Sequence, residues 1–389
     1  MKSKLLIVSR NVPDNLVDSN SLVLNKLLKY FPKGSYNFLI PRSLKISENA
    51  QVFTYNDKST NPFFKSHYGK YLFSLYNLVS RIHYLYRHYQ FSSILIISSS
   101  GIYNICAFII RNVYRIPYSV YFFDVWVGNK LRFWNDVLSK ILESSIVKQA
   151  KFIITCGGGI ADLYAKKYHI VPIIINNPYS DITMQIMENT RSLHSKHQND
   201  KIRIIYTGSI GWPQKDSINT LCMAIKDNLN INFDIYTGTS MENIRESVLL
   251  IDEYNNVKMH KHLQLKDVLY KISKSDIAFL PLYIINDQRT SLVIKVSEPG
   301  KLADYLISGT PILIHAPADS YISNYAKKYD FAYVNNDKNP ESLLKMIEYI
   351  KNHPEESKEK VENALRIAKE FHNPQINAIK LKNILLNDK

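Results

Sequence analysis

Short apolar runs rich in β-branched residues alternate with longer amphipathic stretches along this chain, and the alternation breaks once before it restarts. In the first half the runs lie at 5–9, 36–40, 94–98, 118–123, 152–155 and 173–175. Amphipathic stretches such as 20–30, 68–89 and 102–114 separate them. A helix between two strands carries the chain back, so the next strand runs parallel to the last. The runs show little polar alternation because helices cover both faces of such a sheet. The pattern stops at Asn176-Asn177-Pro178 and gives way to a polar segment with little apolar periodicity. It resumes with runs at 202–207, 232–236, 257–260, 277–280, 312–315 and 331–334, separated by helical patterns such as 217–228 and 340–352. The last stretch, 354–386, reads as two helices broken near His372-Asn373-Pro374, where proline cannot continue a helix.

The expected fold is therefore α/β, with two Rossmann-like doubly wound parallel-sheet domains facing across a cleft. The expected boundaries are 1–178 for the first domain, 179–200 for a linker and 201–370 for the second domain. A final helix, 371–389, is expected to pack back toward the first domain. A chain of 389 residues is long enough for two cores. Ligands of open α/β sheets bind at the carboxyl ends of the strands, so a ligand in the cleft would touch both domains.

Composition narrows the classes. Hydrophobic content of 46% and charged content of 21% exclude a disordered chain. Cys106, Cys156 and Cys222 each lie in or beside an apolar run, and no two are close, which points to buried thiols in a reducing compartment. No metal site is expected from their spacing. No run of about 18 apolar residues is present, and the N-terminal apolar segment reads as a first strand rather than a signal. A cytoplasmic protein is expected. The net charge of +15 is uneven: residues 1–178 hold 22 Lys and Arg against 8 Asp and Glu, and the remainder 27 against 26. A basic first half is expected to meet something anionic, unless the charge is only a solubilising surface.

Residues 297–315 carry the most chemistry. Pro299 suits the first turn of a helix, where its missing N–H costs nothing. Gly300 lets a ligand approach the backbone, and the free N–H groups of a first turn make an anion site. Lys301 adds a full charge to that turn. Asp304, three residues on, can accept hydrogen bonds from a vicinal diol. Gly309 ends the helix, Pro311 prevents its return, and a strand follows at once. The alternative is a capped helix feeding a strand, with Lys301 and Asp304 as an exposed pair.

The pattern Pro-x-Lys-x-x-Asp-Tyr-Leu-x-x-Gly-x-Pro over 299–311 resembles the donor-site motif of GT-B glycosyltransferases, in the large retaining group called family four. The resemblance implies that Gly300 and Lys301 hold the diphosphate and Asp304 the ribose, with Pro299 in the same donor-binding turn and Glu298, a further donor-binding candidate, the carboxylate nearest position 296. The family's acid is usually Glu, and Asp304 is one methylene shorter. The family pairs this acid with a Glu eight positions earlier, and that position is Val296 here. The loop at 208–215 resembles the family's first loop of the second domain. Gly208 and Gly211 match, Ser209 replaces an Arg, and Lys215 is the cation left to meet phosphate. The alternative for this loop is a plain βα turn with an exposed Lys. The segment Met259-His260-Lys261-His262 borders the nucleobase in that family, which makes His262 a donor-site candidate; the histidines themselves read as ordinary loop residues. Phe123-Asp124-Val125-Trp126 resembles a family segment facing the transferred sugar, and the alternative for Asp124 is a helix N-cap. The Gly pair that the family shows after its first strand is absent, so no acceptor contact carries over. Cys156-Gly157-Gly158-Gly159 lacks the Gly-Lys-Ser/Thr ending of a nucleotide-hydrolysing loop.

Residues 63–91 are dense in tyrosine, with Lys65, Lys70, Arg81 and Arg87 interleaved and Leu72, Leu75, Val79 and Ile82 at helical spacing. Rings and cations together suit an anionic membrane face; the alternative is a core helix with a solvated basic side. Nucleic acid is not expected, because no recognised module accompanies the charge.

The expected activity is transfer of a sugar from a nucleotide sugar, a UDP or GDP sugar, to the hydroxyl of a glycan or lipid-linked acceptor, in cell-surface polysaccharide assembly. No cofactor is expected, and no Asp-x-Asp motif points to a metal. Lys301 and Lys215 would stabilise the leaving diphosphate. The resemblance implies retention of configuration. An inverting enzyme, including one with a furanose donor, would need a base, and Asp124 is the first candidate. A nucleotide-sugar-binding protein without catalysis is the remaining alternative.

Overall fold

The computed structural model describes residues 4–10, 19–44, 52–59, 61, 66–89, 91–98, 101–127, 133–180, 201–240, 242–243, 254–261, 265–282 and 288–386. The chain divides into two compact units, one formed by Met1–Asn176 with Gln375–Lys389, the other by Asn177–Pro374.

The first unit is built on a seven-stranded parallel sheet. Its strands are β1 (Leu5–Val8), β2 (Tyr36–Pro41), β3 (Val52–Tyr55), β4 (Ser93–Ser98), β5 (Ser119–Phe122), β6 (Ile153–Thr155) and β7 (Ile173–Ile174). They lie in the order β3-β2-β1-β4-β5-β6-β7. All four residues of β1 are buried, as a strand covered on both faces requires. Helices α1 (Ser19–Leu28), α2 (His67–Tyr89), α3 (Gly101–Asn112), α4 (Phe133–Gln149) and α5 (Gly158–Tyr168) make the crossovers. β3 is a strand that the sequence pattern misses. It is four residues long, flanked by polar residues, and sits at the sheet edge, where three of its positions keep solvent contact.

The second unit has six parallel strands: β8 (Ile202–Thr207), β9 (Ile231–Thr237), β10 (Val257–Lys261), β11 (Ile277–Pro281), β12 (Ile312–His315) and β13 (Tyr333–Asn335). Their order is β10-β9-β8-β11-β12-β13, so the chain reverses its direction of travel between β8 and β11. Helices α6 (Lys215–Ile225), α7 (Leu265–Ser273), α8 (Gln288–Val296), α9 (Leu302–Ile307), α10 (Tyr321–Tyr329), α11 (Pro340–Asn352) and α12 (Pro354–Phe371) complete it. The two helices expected at the end of the chain are α12 and α13 (Pro374–Leu386). α13 is tied into the first unit, where Ser93 Oγ donates to the Leu385 carbonyl at 2.7 Å and Asn377 Nδ2 to the Asn176 carbonyl at 3.0 Å. All three cysteines are buried, and no disulfide joins them. Among the described residues no helix is long and apolar enough to cross a membrane.

Entry to and exit from the second unit are pinned on each other. His372 is fully buried, and its Nδ1 bonds the Asn177 carbonyl at 2.8 Å. The Tyr179 N–H donates to the His372 carbonyl at 3.1 Å, and Asn373 Nδ2 to Tyr179 Oη at 3.2 Å. Burial without a carboxylate partner lowers the His372 imidazole to about 4. The ring is therefore neutral in the fold and charges more readily when the chain unfolds. Stability from this site is full above about 6.5 and is lost as pH falls toward about 4. His372→Ala should lower stability by about 2–4 kcal/mol in denaturant titrations at pH 7 and should weaken the acid sensitivity of the transition.

Candidate functional site

The carboxyl end of β8 and the segment 299–311 form one constellation in the second unit. β8 ends on Tyr206 and Thr207, both buried, and Gly208 follows with φ +118°. A side chain is strained in that region. A Cβ at Gly208 would also lie 3.0 Å from Lys301 Nζ and 3.1 Å from its Cε. The glycine thus meets two demands, the turn and the room for Lys301.

Lys301 closes over this turn. Its Nζ donates to Tyr206 Oη at 2.6 Å and lies 3.8 Å from the centroid of the same ring. Tyr206 Oη in turn donates a hydrogen bond to the Ser209 carbonyl at 2.6 Å. From α9, Tyr305 Oη accepts the Thr207 N–H at 3.0 Å. Two side chains of one motif therefore clasp the end of one strand. The residue keeps some solvent contact, but its ammonium end is shut against the ring and the turn. That desolvation lowers the ammonium to about 7. Desolvation acts the opposite way on Tyr206 and keeps its phenol neutral.

α9 starts later than the sequence pattern predicts. It begins at Leu302, and Pro299 to Lys301 form a separate turn closed by the Leu302 N–H on the Pro299 carbonyl at 2.9 Å. Pro299 and Gly300 lead into the helix rather than belonging to it. The end is as expected, with Gly309 at φ +75°. Within α9 every residue but Asp304 is buried. Asp304 Oδ1 accepts the Ser180 N–H at 3.1 Å, which orients the acid from the segment that enters the unit. Glu298 is buried just before Pro299, and its charge adds to the desolvation that raises the Tyr325 phenol.

Lys215 is the first residue of α6, and its N–H donates to the Gly211 carbonyl at 3.1 Å. The Gly211 N–H donates to Gln214 Oε1 at 3.2 Å, so this loop is braced from within. Ser209 is exposed beside it. His262 lies outside the described residues. His260 closes the expected run 257–260 and lies in β10. There its Nε2 pairs with Asp234 Oδ1 at 2.6 Å and its ring stacks on Tyr236 at 4.3 Å, which strand pairing with β9 dictates.

Asp124 belongs to the first unit, directly after β5. It is exposed, although desolvation at its carboxyl raises that group to about 6. A buried carboxylate holds the loop that carries it. Glu143 of α4 accepts the Val127 N–H at 3.1 Å, Tyr164 Oη at 3.1 Å and Lys167 Nζ at 3.0 Å, and also Tyr168 Oη. Sequence reasoning missed Glu143, Tyr206 and Tyr305. The tyrosines sit in apolar runs and read as core, and Glu143 sits on a helix where an acid reads as surface.

No protein-family model matches this sequence, and no curated protein sequence matches it. Solved structures do match along nearly its whole length. Sucrose-phosphate synthase from Thermosynechococcus elongatus superposes with a TM-score of 0.75 at 11% identity, covering 98% of each chain. HepE from Anabaena, solved with UDP-glucose, gives 0.69 at 9% identity and covers 98% of each chain. A glycosyltransferase from Rickettsia africae ESF-5 gives 0.67 at 12% identity over all of both chains. At these identities the likeness is one of fold, and the fold is GT-B: two parallel-sheet α/β units in one chain.

Gly208→Ala should cost about 1–3 kcal/mol of stability, read by chemical denaturation, because it strains the turn and displaces Lys301 together.

Proposed function

We propose that this chain is a glycosyltransferase that binds a nucleotide sugar on its second unit and passes the sugar to the hydroxyl of a glycan or lipid-linked acceptor. One observation carries the reading: the Lys301 ammonium is held on Tyr206 above a turn that only glycine fits, at the carboxyl end of a central strand. Ligands of open α/β sheets bind at such ends, and this one lies where the strand order reverses. The structural neighbours that hold UDP or UDP-glucose support a UDP sugar as donor.

Lys301 would meet charge that grows on the diphosphate as the glycosidic bond breaks. Lys215, on the loop after Gly208, would meet the other phosphate oxygens. Asp304, oriented by Ser180, would hold the ribose hydroxyls. In this reading the two lysines supply the positive charge, and configuration is retained, with a leaving-group phosphate oxygen taking the acceptor proton. Assembly of cell-surface polysaccharide is the setting that the sequence resemblance favours.

A second reading is inversion with Asp124 as base. A carboxyl raised to about 6 is better matched to that task than an ordinary aspartate. The anomer of the product separates the two readings.

Lys301→Ala should weaken UDP binding about tenfold to a hundredfold in calorimetry and lower turnover, with a single cooperative unfolding transition retained. Unaltered UDP affinity in this variant sinks the donor-site assignment. In the native protein the free ammonium loses its proton as pH rises through about 7, so UDP affinity should fall between pH 6 and pH 8. The variant should lack that slope, which separates Lys301 from the titration of UDP itself.

A further inference from the structure

Of the apolar residues at helical spacing in 63–91, Val79 and Ile82 are buried on α2 and share that face with Leu78 and Leu85, while Leu72 is 61% exposed. Tyr68 and Tyr76, four residues to either side, are 59% and 71% exposed. Positions four apart adjoin along a helix, so these three large side chains form one row, and Tyr84, exposed two turns further on, lies about 80° round the helix from Tyr76. His83 stacks on Tyr114 at 4.2 Å, which brings the exposed corner Val113-Tyr114-Arg115 beside the same helix. A soluble surface scatters its exposed apolar groups, whereas Tyr68, Leu72 and Tyr76 are aligned along about 12 Å of one helix.

The charge of the stretch of chain that carries this row is of one sign. No Asp or Glu occurs anywhere between Asp57 and Asp124, while Lys58, Lys65, Lys70, Arg81, Arg87, Arg111 and Arg115 all do. Lys70, Arg87 and Arg115 are exposed. We propose that α2 and the corner at 113–115 form a surface that lies on an anionic lipid bilayer. Tyrosine rings and the Leu72 side chain would enter the headgroup boundary, and the cations would meet lipid phosphates. Amphipathic rings at headgroup depth with cations at their flanks match a bilayer better than an acidic protein, which would call for fewer apolar groups and more paired charges. The assignment concerns the first unit and stands apart from the donor-site reading.

The test is co-sedimentation of the full chain with phosphatidylcholine vesicles containing about one third phosphatidylglycerol, against pure phosphatidylcholine. The native chain should sediment with the anionic vesicles only, and less so as salt is raised. The combined change Tyr68→Ser, Leu72→Ser and Tyr76→Ser should lower partitioning about tenfold or more, and Lys70→Gln with Arg87→Gln should weaken it chiefly at low salt. All five positions are exposed, so an unchanged unfolding transition and unchanged UDP binding would show that the fold is kept. A native chain that stays in solution at low salt overturns the proposal. So does a triple variant that sediments as well as the native chain. Retention on immobilised polyglutamate without vesicle binding would assign the surface to a protein partner instead.

Discussion

The second unit depends on one contact, the Lys301 ammonium lying on Tyr206 above Gly208. It joins two stretches of chain that are 95 positions apart. Every neighbouring feature is shaped by it. Gly208 must lack a side chain, Tyr206 must present both ring and hydroxyl, and Tyr305 must hold Thr207 so that the strand ends at the right height. A cation pressed against an aromatic face and a single hydroxyl is poorly solvated, and it stays there because ring quadrupole and hydrogen bond together offset part of the lost hydration. A more acidic neighbour would pair the lysine and remove it from service to a ligand.

A comparable logic holds in the first unit at opposite sign. Glu143 is a buried carboxylate with four donors on it, two phenols, one ammonium and one backbone N–H. Removing any one partner would leave charge imperfectly matched in a dry place, so the network rigidifies the chain just beyond Asp124. The two units thus use the same device. A buried charge is fixed by tyrosines, and a neighbouring loop is fixed with it.

Much of this was legible in the sequence, and the reasons for the rest are physical. Both parallel sheets could be read because strands buried on both faces are apolar throughout, as β1 and β11 are. β3 was hidden because it is only four residues long, at the sheet edge, with three positions partly open to solvent. Lys301, Gly208 and Asp304 were legible as a motif, and their chemistry could be argued from residue type. Their partners were not. Nothing in the pattern reveals that Tyr206 is the seat of Lys301, that Ser180 orients Asp304, or that α9 begins only at Leu302. Each of those depends on contacts between residues distant in sequence. The pattern could not say which side of α2 faces the core, because leucine and tyrosine occur on both: Val79 and Ile82 are buried and Leu72 is exposed.

The low proton affinity of Lys301 has a thermodynamic corollary for the proposed donor site. An anion seated on Lys301 favours its charged form, so the lysine of the complex would hold a proton that the free protein has partly surrendered above about pH 7. Binding would then draw a proton from the buffer. The heat of association would contain the buffer's own ionisation enthalpy, and it would differ between buffers at one pH although the affinity did not. A contact chosen by packing would in this way make the donor and the proton cooperative ligands of one site.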